Sequence, residues 1–350
     1  MKKVGIIGHF GGNEEFLDGQ TIKTKILYDE LKKTGNFDIS IVDVYYIKRN
    51  PLKGICDTLK CLCKTKTVFV LLSDKGMRTY FPFLYYWKKF FGLNIYHDVI
   101  GGNLSAYVKK YPSFKKYLNS FNLNLVELKN MVTELNELGI TNAVMFPNFK
   151  RLKHIKQSEI VPFDGEVFKF CTFSRVMKEK GIEDAIEAVE NINKKAGKTV
   201  CVLDIYGVVD EGYAQRFEEI LSQSTDSINY KGKVRFDESV ETIKNYYALL
   251  FPTFWNGEGF AGTIIDAFAS AVPIIATDWN LNAEIITHLK NGIIYPNDIH
   301  KDLQSAIEWA IENKEKMYEM RINALAESKE YDVDILMEKI VKMIDGEFNL

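Results

Sequence analysis

The chain has 350 residues, 46% hydrophobic and 26% charged, which excludes a disordered or low-complexity protein and sets an expectation of two domains at ~100–200 residues each. No run approaches the ~20 apolar residues of a membrane-spanning helix. The net charge of −2 conceals an asymmetry: residues 1–155 hold 24 Lys and Arg against 13 Asp and Glu, or +11, whereas residues 156–350 hold 21 against 34, or −13. The apolar stretch Val4–Gly8 is too short for the core of a signal peptide, so a cytoplasmic protein is expected. Five cysteines, an odd number, point to reduced thiols. Cys56, Cys61 and Cys63 match no zinc spacing and are expected on a buried helix face, with no metal.

In chain order, short β-rich runs alternate with helical patterns. Strands are predicted over Val4–Gly8, Ile39–Val44, Thr67–Leu72, Leu93–Asp98, Leu123–Val126 and Ala143–Phe146. Helical spacing marks Thr21–Lys33, through Ile22, Ile26, Leu27 and Leu31, and also Leu128–Leu138. The segment Pro147–Asp164, with two prolines and several basic and polar residues, breaks the rhythm and reads as an interdomain linker. Alternation restarts with strands Val167–Thr172, Val200–Tyr206, Ile228–Lys231, Ala248–Pro252, Pro273–Ala276 and Gly292–Tyr295, and helices Ile182–Lys194 and Glu211–Ser222. After Asn297 the chain reads as entirely helical, ending in the amphipathic piece Val333–Ile344. This order implies two successive α/β domains with doubly wound parallel sheets, 1–155 and 156–330. Two such domains in tandem place a cleft between the carboxyl ends of their strands, where open α/β sheets bind ligands.

Basic residues of the first half interleave with aromatics, as in Tyr45–Arg49 and Phe81–Phe91. That mixture suits the headgroup region of an anionic membrane, and no nucleic-acid motif accompanies it. The alternative is a buried helix with a solvated basic edge.

Three loops follow strands and can carry chemistry. Gly8-His9-Phe10-Gly11-Gly12 allows a sharp turn or close approach to a ligand, but its spacing is not a dinucleotide fingerprint. Phe173–Gly181 sets Arg175 and Lys180 where a strand gives way to a helix, a place that favours anions such as a diphosphate. In Pro252–Phe268, a strand leads through a glycine-rich turn to a helix starting near Ala261. The amides of Ala261, Gly262 and Thr263 have no intrahelical partner there. Glu258 on the turn and Asp266 in the helix offer two carboxylates, each able to accept hydroxyl hydrogen bonds from sugar or ribose.

Here the sequence resembles the retaining GT-B glycosyltransferases of family 4. Their signature is a Glu, seven residues, a second Glu, a small-residue helix and a P-x-x-A-T strand. Glu258, the motif glycines and Pro273 match. Arg175 and Lys180-Gly181 match the G-R-x-x-x-x-K-G element, with Ser174 for its Gly. Glu284 holds the P-E-I position, and Asn291-Gly292 matches the N-G before the last strand. The resemblance spans about residues 167–310; in the first half it rests on Gly11-Gly12, His97 and Phe146-Pro147-Asn148. Asp266 stands for the second Glu, one methylene shorter. Ala271 stands for the helix-ending Gly, read as a packing change.

What the resemblance implies is a GT-B enzyme, two Rossmann-like domains facing across a cleft, with the last helix (about 330–350) crossing back to the first. Arg175, Lys180 and the amides after Phe260, namely Ala261, Gly262 and Thr263, would hold the diphosphate of a UDP- or GDP-sugar. Glu258 would orient the donor sugar and Asp266 the ribose. Gly207 and Val234, in the loop Gly232-Lys233-Val234, belong to the nucleotide side. His97 and the Gly11-Gly12 loop would meet the sugar. Catalysis would need no metal or other cofactor, since Arg175, Lys180 and the helix start stabilise the leaving group. The resemblance further implies a lipid-linked glycan acceptor in bacterial surface-polysaccharide synthesis, at the inner face of the plasma membrane. Two alternatives stand beside it: another GT-B nucleotide-sugar enzyme, such as an epimerase or phosphorylase, and a non-catalytic partner subunit.

Overall fold

The structure, a computed structural model, describes residues 1–14, 16, 19–47, 49–296 and 301–348. The predicted features at Lys48, within the basic-aromatic run Tyr45–Arg49, and at residues 297–300, where the helical tail was expected to begin, lie outside the described residues. The chain forms two units, Met1–Arg151 with Val333–Leu350, and Leu152–Asp332.

The first unit holds β1 (Lys2–Gly8), β2 (Phe37–Asp43), β3 (Thr67–Leu71), β4 (Asn94–Asp98), β5 (Leu123–Val126) and β6 (Ala143–Met145). All pair in parallel in the order β2-β1-β3-β4-β5-β6, with Val4 facing Ile39 on one side and Thr67 on the other. Every residue of β3 and β5 is buried, as a parallel sheet covered on both faces requires. The helix Val333–Asp345 packs Leu336, Ile340 and Met343 into this core beside Leu123 and Phe146, and the Tyr96 hydroxyl donates to Met343 O at 2.7 Å.

Helix Gly19–Lys33 corrects the apolar pattern that announced it. Its buried face is Thr21, Lys23, Thr24, Leu27, Glu30 and Leu31, while Ile22 and Ile26 are only half-buried. Charged residues enter because partners meet them. Lys23 Nζ lies 2.7 Å from Asp98 and 3.3 Å from Glu127, and Arg151 clamps Glu30 through both its oxygens, at 3.0 and 2.6 Å.

Two further helices, Pro51–Lys64 and Asp74–Phe91, have ordinary start and stop chemistry. Asn50 accepts from Lys53 N and Pro51 opens the first; Gly92, at φ +68°, ends the second. They lie side by side, with Thr58 Oγ1 and Tyr80 OH 3.3 Å apart. The three cysteines do not share one buried face: Cys61 is buried against Gly5, whereas Cys56 and Cys63 are exposed.

The second unit holds β7 (Phe168–Phe173), β8 (Cys201–Tyr206), β9 (Ile228–Gly232), β10 (Ala248–Phe251), β11 (Ile274–Thr277) and β12 (Gly292–Tyr295), parallel in the order β12-β11-β10-β7-β8-β9. Helix Ile182–Ala196 covers it with Ile182, Ile186, Val189 and Ile192, spaced to face one side. The stretch read as a linker is not a loose tether. Phe149 is buried in the first unit's core, and Ile155 and Ile160 pack with Ala269 and Leu325 of the second, where Ile155 N donates to Ala269 O at 3.1 Å. Ala271 is more than a packing change: its φ is +51°, so a residue with a Cβ holds the left-handed position that suits glycine. Among the described residues, no helix is long and apolar enough to cross a membrane.

Candidate functional site

Each sheet reverses its winding once. In the second unit the reversal falls between β7 and β10, and in the first between β1 and β3. Open α/β sheets bind ligands outside the carboxyl ends of their strands at such a point. Most of the residues singled out from sequence lie on loops leaving those strand ends.

Lys180 and Glu258 meet at the β7–β10 reversal. The Lys180 amine contacts Glu258 Oε2, and both side chains are nearly sealed, at 10% and 6% exposure. Thr253 Oγ1 donates to the same carboxylate oxygen at 2.8 Å. The amine also sits 4.8 Å from the centre of the Trp255 ring, within cation–π range. The backbone brings these groups together by close approach. Gly181 is left-handed at φ +68°, and a Cβ there would lie 2.1 Å from Pro252 O. Phe254 N donates to Glu179 O at 2.8 Å, tying the two loops across the gap.

Arg175, Gly207 and Val234 come from the loops after β7, β8 and β9. Val176 N donates to Val208 O and Gly207 N to Gly232 O, each at 2.9 Å, so the three loops are laced together. Gly207, at φ +141°, lets the β8 loop pass against the β7 loop; a Cβ there would fall 1.7 Å from Ser174 O. Arg175 stands exposed on this surface.

The turn Gly257–Ala261 leads into helix Gly262–Ala269, whose first N–H groups have no intrahelical acceptor. The Thr263 hydroxyl in that first turn is buried and, among the described residues, meets no hydrogen-bond partner. A buried hydroxyl without a partner costs stability unless a ligand serves it. Asp266 follows within the helix, 4% exposed. Phe260 is buried with its ring edge on Tyr331, 4.9 Å away, so what this position presents outward is backbone. Glu284 is exposed on the turn Asn282–Ile285, whereas Asn291 is fully buried and accepts from Thr287 N at 2.8 Å.

A cavity of about 350 Å3, lined by Lys178, Gly181, Asp184, Pro252, Phe254 and Thr277, lies beside the same loops. It touches neither Glu258 nor Asp266. The pairing of a sealed lysine with a sealed carboxylate marks the chemistry more specifically than this cavity does.

In the first unit, the Gly8–Gly12 loop leaves β1 at the reversal point. Asp43 holds it, its two carboxylate oxygens accepting from Phe10 N at 2.9 Å and Gly12 N at 2.8 Å. His97 lies on β4 with no exposure. Its Nδ1 is 3.1 Å from Asn124 Oδ1, and the rings of Phe81 and Phe121 close over it. Burial pushes its pKa down to about 4, so the ring is neutral at pH 7. His97 is thus enclosed within its own unit, and its Nε2 is buried with no hydrogen-bond partner among the described residues.

Sequence reasoning missed Thr253, Trp255 and Asp43 as partners. Thr253 and Trp255 stand inside the glycine-rich motif, but nothing in spacing shows which carboxylate or amine they meet. Asp43 ends a strand remote in sequence from the loop it holds.

The model of the glycosyl transferases group 1 family matches residues 153–327. Among curated proteins, the N,N'-diacetylbacillosaminyl-diphospho-undecaprenol alpha-1,3-N-acetylgalactosaminyltransferase of Campylobacter jejuni is 24% identical over 172 residues, 49% of this chain and 43% of that protein. The chain spans less than half the length of the curated relatives it matches. Among solved structures, Anabaena HepE in complex with UDP superposes with a TM-score of 0.72 at 16% identity, covering 99% of this chain and all of that one. Sucrose-phosphate synthase from Thermosynechococcus elongatus gives 0.78 at 12% identity, covering 99% of each. With the two six-stranded parallel sheets, these likenesses show a two-domain, Rossmann-like GT-B fold.

Proposed function

The chain belongs to the glycosyl transferases group 1 family, and on that premise we propose that it transfers a glycosyl group from a UDP- or GDP-sugar to a glycan acceptor, with retention at the anomeric carbon. The observation that carries this reading is the buried Lys180–Glu258 pair at the β7–β10 reversal, flanked by exposed Arg175 and by the start of helix Gly262–Ala269. Arg175, Lys180 and the helix-start amides neutralise the departing diphosphate, and the orphaned Thr263 hydroxyl fits a phosphate oxygen. These cations serve the role a bridging metal would otherwise fill, so the reaction proceeds without one. Glu258, fixed by Lys180 and Thr253, keeps carboxylate lone pairs for donor hydroxyls. Asp266 takes the ribose. Attack comes from the face that the diphosphate leaves, and a diphosphate oxygen accepts the acceptor's proton. His97 enters this scheme through packing rather than contact.

A lipid-linked acceptor in surface-polysaccharide synthesis is the finer reading. The undecaprenol in the name of the Campylobacter relative and the basic, aromatic first unit support the lipid-linked acceptor. The test is a thermal-shift screen against UDP and GDP. A nucleotide at about 100 times its dissociation constant adds about 2.7 kcal/mol of stability and raises the melting temperature. Stability unchanged by both nucleotides at millimolar concentration rejects the proposal.

A further inference from the structure

The helix Pro51–Lys64 has two faces of different use. Gly54, Thr58, Cys61 and Leu62 are buried against the sheet. Leu52, Ile55 and Leu59 are exposed at 77%, 56% and 38%, and with Cys56 and Cys63 they recur at helical spacing as a second, outward apolar stripe. Lys53, Lys60 and Lys64 run along one edge of that stripe. The neighbouring helix Asp74–Phe91 repeats the pattern. It buries Met77, Tyr80, Phe81 and Leu84 and exposes Phe83, Tyr86, Phe90 and Phe91. Seven of the seventeen exposed large hydrophobics of the described residues fall on these two adjacent helices. Scattered exposed apolar residues need no explanation, but a contiguous set does.

We propose that the outer face of these two helices is a docking surface for an anionic lipid bilayer. On these two helices Lys53, Lys60, Lys64, Lys75, Arg78 and Lys89 are exposed, against the acidic Asp74 and the half-buried Asp57. Such a face complements negatively charged headgroups, while a second copy of the chain in a two-fold contact would bring like charges together. Aromatic rings beside lysines seat at the depth where headgroups meet acyl chains, as interfacial helices do. The proposal deepens the lipid-linked-acceptor reading and rests on it for its purpose. Vesicle binding needs no donor, so the two readings fail separately.

The experiment sediments the full-length chain with vesicles of phosphatidylcholine alone and of an equimolar phosphatidylcholine–phosphatidylglycerol mixture. Binding is expected to the mixture and to fall steeply between about 0.1 and 1 M salt, as the screening length shrinks from ~10 to ~3 Å. Ile55→Glu with Phe90→Glu abolishes it. Each of Lys53→Gln, Lys60→Gln and Lys64→Gln lowers partitioning about five-fold. Val161→Glu and Ile335→Glu, exposed elsewhere, leave it unchanged. Wild-type chain that ignores the mixture, or binds both vesicles equally, overturns the proposal without recourse to any variant. So does an Ile55→Glu/Phe90→Glu variant that binds like wild type, or one whose only effect is to break up a dimer.

Discussion

Replacing Lys23 by methionine removes the one cation of a buried triad. Lys23, Asp98 and Glu127 have side-chain exposures of 3%, 2% and 6%, with N–O distances of 2.7 and 3.3 Å. At an effective dielectric of about 20, those separations correspond to gross attractions of about 6 and 5 kcal/mol, most of which repays desolvation. Burial pulls the Lys23 amine down, yet Asp98 and Glu127 outweigh it and hold it above its ordinary value. Burial raises the Asp98 carboxyl against the opposing charge of Lys23. Methionine fills the space but leaves two carboxylates facing each other in the core. Breaking a buried pair in this way costs about 3–5 kcal/mol, or roughly 10 °C in the melting of a unit this size. Differential scanning calorimetry at pH 7 reads it. The sign with pH follows from linkage. In the variant, Asp98 loses its cation and its pKa rises further above the unfolded value, so the native state binds protons more tightly than the unfolded chain. The deficit therefore shrinks as pH falls toward 5 and widens toward neutrality. Adding Asp98→Asn and Glu127→Gln to Lys23→Met restores most of the loss at pH 7. A Lys23→Met protein melting within about 1 °C of wild type at pH 7, or a deficit that grows on acidification, refutes the reasoning.

Three further outcomes follow from particular positions. Gly207→Ala places a methyl 1.7 Å from Ser174 O at a glycine-only φ, and is expected to cost at least about 2 kcal/mol in urea unfolding and to weaken nucleotide binding through the β7 and β9 loops. In Ala271→Gly, relief of about 1 kcal/mol is offset by a lost buried methyl and a freer unfolded chain, leaving stability near that of wild type. Glu258→Gln keeps the hydrogen bond from Thr253 but loses the charge that faces Lys180 and the donor hydroxyls. Glycosyl transfer should fall by at least about 100-fold in kcat/KM, and the melting temperature should fall as well, because the nearly sealed Lys180 amine loses its charged partner.

Much of the architecture was legible because strands buried on both faces write themselves as short apolar runs, as in Thr67–Leu71 and Ala248–Phe251. The glycine-rich stretch 257–262 marked the turn before helix Gly262–Ala269, and Gly181, matched through the resemblance, sits where close backbone approach and a positive φ demand glycine. Helix faces were less legible. Gly19–Lys33 buries Lys23 and Glu30 in place of Ile22 and Ile26, because the charges that neutralise them, on Asp98, Glu127 and Arg151, come from distant strands and loops. His97 shows the same limit. The resemblance implied a sugar contact for it, and nothing in the sequence showed that Phe81 and Phe121, from elements on either side, would enclose it. The exposed stripe of Pro51–Lys64 also escaped notice, for apolar residues on a helix do not say which of two faces the sheet will cover.

On the proposed function, a nucleotide diphosphate sits on Arg175, Lys180 and the start of helix Gly262–Ala269. Isothermal titration of UDP and GDP into wild type and into Arg175→Met is the decisive measurement, because Arg175 is exposed and its replacement is expected to leave the fold intact. One nucleotide should bind wild type, and the variant should bind it roughly 10- to 100-fold more weakly, the worth of a charge-assisted phosphate contact of about 1.5–3 kcal/mol. Binding of neither nucleotide, or an Arg175→Met affinity equal to that of wild type, would contradict it.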